Sequence, residues 1–219
     1  MGQSVPSFDP AARRGYHHGN LREALLEAAR HLVAERGPQG FTLTEAARRA
    51  GVSPSAPYRH FKDREEVLSE LCQRGFALFG QRLQTAAGAG ASSAEALSRM
   101  GPAYLRFARE EPGYYAAMFA FHGAGTAAPE PARPGPFAIL AQAVASQLPE
   151  GGRAPRLVAL QVWALSHGVA MLERAGMPIH GDGAPPPEVV LENGVAALLG
   201  RQGVGDAALG TGPRGAEPA

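Results

Sequence analysis

The sequence predicts an all-α protein, and three observations carry that prediction. Apolar residues recur at three-to-four spacing along most of the chain, while runs of alternating Val, Ile and Thr that would mark strands are scarce. The 28 Gly and 19 Pro gather into breaks, at 88–91, 123–136, 181–187 and from Gly203 onward. Finally, Asn, Thr, Asp or Ser followed three residues later by Glu recurs where an apolar stretch begins, the pattern of a helix start. The expected architecture is an N-terminal three-helix unit followed by a C-terminal helical bundle, about nine helices in total.

The first helix starts at Asn20, with Glu23 three residues on, and runs to Gly37. Leu21, Leu25, Ala28, Ala29 and Leu32 give it one apolar face. Thr42 and Glu45 open a second, short helix that turns Ala46, Ala47 and Ala50 inward and Arg48 and Arg49 outward, and stops at Gly51. Ser53 caps a third, with Pro54 at its first position, where the missing N–H does no harm. Asp63 and Glu66 start a fourth, running to about 86, long enough to reach roughly 33 Å at 1.5 Å per residue. Ser92 and Glu95 start a fifth, through Leu97, Met100, Tyr104, Phe107 and Ala108, with a kink expected at Gly101-Pro102. A short aromatic helix at 112–119 comes next, and a seventh runs from Pro136 to near Pro149. The eighth, about 156–175, is apolar nearly all round, so it needs cover on both sides. The ninth, about 188–201, carries Val189, Val190, Val195, Leu198 and Leu199.

Composition removes several classes of protein. At 45% hydrophobic and 19% charged residues the chain is globular, and 219 residues bury a core without disulfide staples. A single cysteine, Cys72, rules out an internal disulfide framework and a Cys-based zinc site. The N-terminal segment lacks the apolar run of an export signal, and the longest uncharged apolar stretch, 157–172, is shorter than the roughly 20 residues a membrane helix needs. The expectation is a cytoplasmic protein with no membrane partner, a disordered arm at 1–14 and a disordered tail at 203–219.

Net charge is +1, but it is unevenly spread. Residues 10–64 carry ten bases against five acids, while the remainder carries eleven against fifteen. A basic N-terminal third on an acidic body points to a polyanion as partner. Of the 21 bases only Lys62 is a lysine, a bias that fits GC-rich codon usage as well as phosphate recognition.

Two short helices joined by Gly51-Val52-Ser53 make a helix-turn-helix, whose second helix can enter a DNA major groove. Tyr58 and His60 can donate to phosphates, and Lys62 and Arg64 flank a helix start that offers N–H groups to another. Thr44 and Ser55 suit base edges, and Ala56 or the ring of Tyr58 suits a thymine methyl. The competing reading is a packing module with Tyr58 and Phe61 in its core.

The motif Phe41-Thr42-Leu43 through Ala47, then Ala50-Gly51-Val52-Ser53, then Tyr58-Arg59-His60-Phe61 with Asp63-Arg64-Glu65, resembles the DNA-binding domain of the TetR family of transcriptional regulators. The opening Gly15-Tyr16-His17-His18-Gly19-Asn20-Leu21-Arg22 is similar to a common start in that family. The resemblance covers roughly residues 16–70. It implies backbone contacts from Thr42, Tyr58, His60 and Arg64 and base-facing positions at Thr44, Ser55 and Ala56; Ser53 and Lys62 complete the expected DNA-binding set. Two positions depart from the family pattern: Arg64 stands where lysine is usual, and Pro57 where a non-proline is usual.

In the body, Trp163-Ala164-Leu165-Ser166-His167-Gly168, with Tyr104–Glu111 and Met118-Phe119, resembles a TetR subgroup named for its Trp-His-Gly signature. The resemblance implies a homodimer through the last two helices, a palindromic operator and a small-molecule effector. Tyr104, Phe107, Tyr115, Met118, Phe119, Trp163 and Met171 are candidate linings of an apolar pocket with His122, Ser166 or His167 as polar groups, or else plain core. Such a pocket takes an apolar or weakly polar ligand.

The resulting map is a helix-turn-helix domain at 15–64 and a ligand-binding and dimerisation domain at 65–202, a repressor that leaves its operator when the effector binds. The alternatives are a DNA-binding dimer without effector, and an enzyme using Ser166 and His167. Adjacent residues on a helix point about 100° apart and no Gly-x-Ser-x-Gly elbow occurs, so no catalytic residue is assigned. His17, His18, His31 and His60 lack a carboxylate at metal-ligand spacing, so no metal or cofactor is assigned either.

Overall fold

The computed structural model describes residues 21–120, 135–176 and 184–201, and these are helical with no strand among them. In chain order they form α1 (Leu21–Arg36), α2 (Leu43–Arg49), a 3₁₀ turn (Pro57–Arg59), α3 (Arg64–Gly88), α4 (Ser93–Glu110), α5 (Pro112–Ala120), α6 (Pro136–Ala145), α7 (Pro155–Arg174) and α8 (Pro187–Leu198). Eight α-helices and one 3₁₀ turn fill the nine helical places expected. The Asn20 cap, the arm and the tail lie outside the described residues, as does His122.

One detail differs from the expectation. The third element is not an α-helix started by Ser53. Pro54 and Pro57 both lack an N–H, so the stretch closes instead through single turns, Ala56 N–H to the Ser53 carbonyl at 3.0 Å and His60 N–H to that of Pro57 at 2.9 Å. The Gly101-Pro102 step lies inside α4.

The described residues divide into two compact units: 21–75 with 111–120, and 76–110 with 135–176 and 184–201. In the first, α1 buries Leu25, Leu26, Ala28, Ala29, Leu32 and Val33 against Phe41, Ala46 and Ala47 of the α2 region, Phe61, and Val67, Leu68 and Leu71 of α3. Each fully buried Leu or Phe contributes about 1.5–3 kcal/mol. α5 packs on α1 in the same unit, and Gly113 makes that crossing possible, because a Cβ there would sit on the Arg30 carbonyl oxygen and 2.8 Å from Arg30 Cγ.

A charged lattice ties α1 to α3. Arg22 grips Glu70 with both ends of its guanidinium, Nη1 to Oε1 at 2.6 Å. Glu70 also accepts from Arg74 Nε at 3.0 Å, and Arg74 reaches Glu23 at 2.5 and 2.6 Å. Arg22 first and Arg74 second hold the Glu70 carboxyl below the usual carboxylate range. Arg22 also lies over the Phe61 ring, 4.9 Å from its centroid.

The second unit is built on α7, which packs on α4, α6 and α8. Its aromatic centre is Phe79, whose ring lies 4.8 Å from Phe107, 5.0 Å from Tyr104 and 5.8 Å from Trp163. One face of α4 buries Leu97, Met100, Tyr104, Leu105, Phe107 and Ala108. Arg109 fastens α4 to both neighbours, with Nε 2.8 Å from Glu173 of α7 and Nη1 2.6 Å from Glu188 of α8.

Candidate nucleic-acid interface and its relatives

α2 begins with a complete capping box. Thr42 Oγ1 accepts the Glu45 amide at 3.2 Å, and Glu45 Oε2 accepts the Thr42 amide at 3.0 Å and its hydroxyl at 3.1 Å. Arg36 at 2.8 Å, and then Thr42, keep the Glu45 carboxyl ionised to lower pH than usual. The helix stops at Gly51, whose φ of +73° is a left-handed conformation that a side chain would strain. The chain then folds back, Val52 N–H to the Ala47 carbonyl at 3.0 Å, and delivers the 3₁₀ turn.

Phe61 is buried and Pro57 with it, so the turn is anchored from beneath. Its upper side is exposed. Tyr58 is 60% exposed, an unusual position for a large ring, and Arg59, His60 and Lys62 are exposed around it. This excludes the packing reading for Tyr58 and supports it for Phe61. Thr44, Ser53 and Ser55 are exposed and Ala56 is half-buried, with the two serine hydroxyls 3.3 Å apart. Arg48, Arg59 and Lys62 meet no carboxylate side chain among the described residues, whereas Arg49 pairs with Glu35 at 2.7 Å.

Arg64 is engaged within the unit, donating to the Gln39 carbonyl at 3.2 Å and to its side-chain oxygen at 2.6 Å. At the start of α3, Asp63 accepts the Glu66 amide at 2.9 Å, and Glu66 reaches back to the Lys62 amide at 2.6 Å. Of the nine expected interface residues, Thr42 is occupied in capping and Arg64 in holding Gln39. Arg48 and Arg59 join the exposed cations, and the outward placement of Arg48 on α2 was the only sequence signal for either. His31 bonds Glu27 at 2.9 Å, and His17 and His18 lie outside the described residues.

Two family models match the chain: one described as "Bacterial regulatory proteins, tetR family" over residues 25–71, the other as "Tetracyclin repressor-like, C-terminal domain" over residues 97–198. Together they cover about two thirds of the sequence. The chain belongs to the TetR family. The TetR match over 25–71 spans α2, the glycine turn and the exposed 3₁₀ turn, and identifies them as the helix-turn-helix of a regulatory protein.

Among curated TetR-like relatives, the uncharacterised HTH-type transcriptional regulator YobS of Bacillus subtilis (strain 168) is 29% identical over 106 residues, 48% of this chain and 54% of YobS. The match thus spans about half the length of that relative. A solved structure of a protein of unknown function from Rhodococcus sp. RHA1 is 26% identical with a TM-score of 0.69, covering 87% of this chain and all of that one. The regulator FadR from Bacillus subtilis, solved in complex with stearoyl-CoA, has a TM-score of 0.60 at 13% identity, covering 81% of this chain and 97% of its own, which is a likeness of fold.

The TetR body contains a cavity of about 380 Å³ between α4, α7 and α8, within the range of small-molecule sites. Tyr104 and Trp163 line it, as does Ser166. Each of the other candidates has its own surroundings. Phe107 is buried beside Phe79, His167 Nδ1 stands 3.4 Å from the Tyr104 hydroxyl with its pKa lowered by burial, and Met171 is exposed. Tyr115, Met118 and Phe119 belong to the first unit with α5, the rings of Tyr115 and Phe119 tilted at 53° with centroids 4.8 Å apart. Among the described residues no helix is long and apolar enough to cross a membrane.

Proposed function

We propose that this TetR-family protein is a sequence-specific DNA-binding repressor that works as a homodimer on a palindromic operator. In this reading it is released when a small molecule fills the α4–α8 cavity. The observation that carries the DNA-binding reading is the exposed turn: a tyrosine 60% open to solvent, followed by Arg59, His60 and Lys62, set on a buried Phe61. Solvent-facing phenol, imidazole, ammonium and guanidinium groups are donors for phosphate oxygens, while Thr44, Ser55 and Ala56 face base edges.

Dimerisation is supported by the exposed large apolar residues. Apart from Tyr58, those among the described residues all lie on α7 and α8: Leu157, Leu160, Met171, Leu172 and Val189. An isologous pairing of these two helices covers them. The Trp163–Gly168 signature supports the Trp-His-Gly subgroup. The cavity favours an effector-responsive regulator over an effector-free one. Against an enzyme stands Ser166, which is buried and donates its proton to the Val162 carbonyl of its own helix at 2.8 Å. A DNA partner places the protein in the cytoplasm.

The test is fluorescence-anisotropy binding to labelled DNA from upstream of its own gene, across a salt series and with polyanionic competitor. Specific binding survives competitor and weakens steeply with salt. The double variant Tyr58→Ala, His60→Ala loses at least tenfold in affinity with its far-UV circular dichroism unchanged; undiminished binding by that folded variant overturns the assignment of the interface.

A further inference from the structure

The two arginines that end α2 have different surroundings. Arg49 turns toward α1 and meets Glu35 there, Nη1 to Oε1 at 2.7 Å. Arg48 leaves the helix about 100° away from it and stands one turn after Thr44 on the same face of α2, both of them exposed. Leu43, Ala46 and Ala47 make up the buried side of that helix. The acids of this part of the unit are already engaged: Glu35 by Arg49, and Glu45 by Arg36 at 2.8 Å and by the Thr42 amide at 3.0 Å. Arg64, the cation that the family pattern sets on a phosphate, is engaged by Gln39. Among the described residues Arg48 meets no carboxylate, so its charge is left to solvent or to a partner.

We infer that Arg48 is a further phosphate-contacting residue of the DNA interface. The inference rests on the DNA-binding reading and adds to it a contact from the first helix of the motif, outside the exposed 3₁₀ turn. In a helix-turn-helix the first helix crosses the sugar–phosphate backbone while the element after the turn enters the groove. Thr44 stands in the first turn of α2, and Arg48 lies roughly 6 Å further along the axis on the same face, at 1.5 Å per residue. A guanidinium there can donate to two oxygens of one phosphate. Such a contact carries charge and no sequence information. A cation in the last turn also complements the carbonyl end of its own helix, and that role by itself leaves the salt dependence of DNA binding unchanged.

The full chain is titrated by fluorescence anisotropy against two labelled probes, DNA from upstream of its own gene and a mixed-sequence duplex of equal length, across a salt series. Arg48→Gln keeps a long, helix-compatible side chain and removes the charge, with far-UV circular dichroism as the control for folding. It weakens binding to both probes by the same factor. Its slope of log affinity against log salt is shallower by about 2, one phosphate per protomer of a dimer. Arg48→Lys restores the parent slope, and Arg49→Gln keeps it. A parent slope in Arg48→Gln overturns the inference and leaves the interface at the 3₁₀ turn standing. An equal change in Arg49→Gln also overturns it, as a general effect of charge, and so does a loss confined to the upstream DNA, which marks a base contact. If the parent binds neither probe, the DNA-binding reading falls and the inference falls with it.

Discussion

Replacing Gly113 by Ala sets two effects of opposite sign against each other. Gly113 lies inside α5, where helix propensity alone predicts that alanine stabilises by up to about 1 kcal/mol. The added methyl, however, would fall on the Arg30 carbonyl oxygen, well under 3.0 Å away, and 2.8 Å from Arg30 Cγ. The oxygen belongs to the middle of α1, which is fixed by Ala29 and Val33, both fully buried, so the helix cannot retreat without opening the core. Overpacking of this kind costs about 1–3 kcal/mol, and a backbone obstacle places it at the upper end. The net expectation is a loss of about 2 kcal/mol. For a chain of this size that lowers Tm by roughly 4–8 °C. Thermal melts followed by far-UV circular dichroism at fixed protein concentration measure it. Gly88→Ala is the control, since nothing lies within 4 Å of a Cβ there. A Gly113→Ala protein that melts at or above the parent temperature refutes the close approach of α5 to α1.

Glu70→Gln removes the carboxylate shared by Arg22 and Arg74 and lowers stability at neutral pH by about 1.5–3 kcal/mol. Because folding depresses the Glu70 pKa, that contribution is full above the ordinary carboxylate range and drains as pH falls through the depressed value. The gap between parent and variant in urea titrations therefore closes toward acid, and a gap constant with pH contradicts the ion-pair account. Leu160→Asp, at a position 55% exposed, leaves the fold intact and yields monomers in sedimentation velocity; a variant that stays dimeric removes α7 from the interface. Lys62→Ala makes the slope of log affinity against log salt shallower by about 2 for a dimer losing one phosphate contact per protomer, and an unchanged slope shows that Lys62 touches no phosphate.

The elements were legible where local chemistry decides them. Thr42–Glu45, Asp63–Glu66 and Ser92–Glu95 all form the bonds that their spacing promised, and α2, α3 and α4 start beside them. Helical periodicity likewise marked Ala46 and Ala47 as inward and Arg48 as outward. Long-range partners were not legible. Periodicity gives α5 an aromatic face but does not say what covers it, and α5 packs on α1 within the first unit. Similarly, Arg22 and Glu70 are 48 residues apart, and no local pattern pairs them. The 3₁₀ turn was a matter of weighing two prolines against a cap, and the missing N–H groups prevailed. At the interface the residue types were readable and their commitments were not: the same threonine that suits a phosphate is occupied by Glu45, and Arg64 by Gln39.

Lys62 stands on the exposed side of the 3₁₀ turn and carries the only side-chain amine of the 219 residues. Reagents selective for amines, such as those of reductive methylation or acyl transfer, therefore have a single side-chain target, and it lies in the proposed DNA-contacting stretch. A mass shift on the peptide containing Lys62, taken with and without DNA, becomes a protection footprint that requires no mutation. The arginine bias of the composition has left this surface singly addressable.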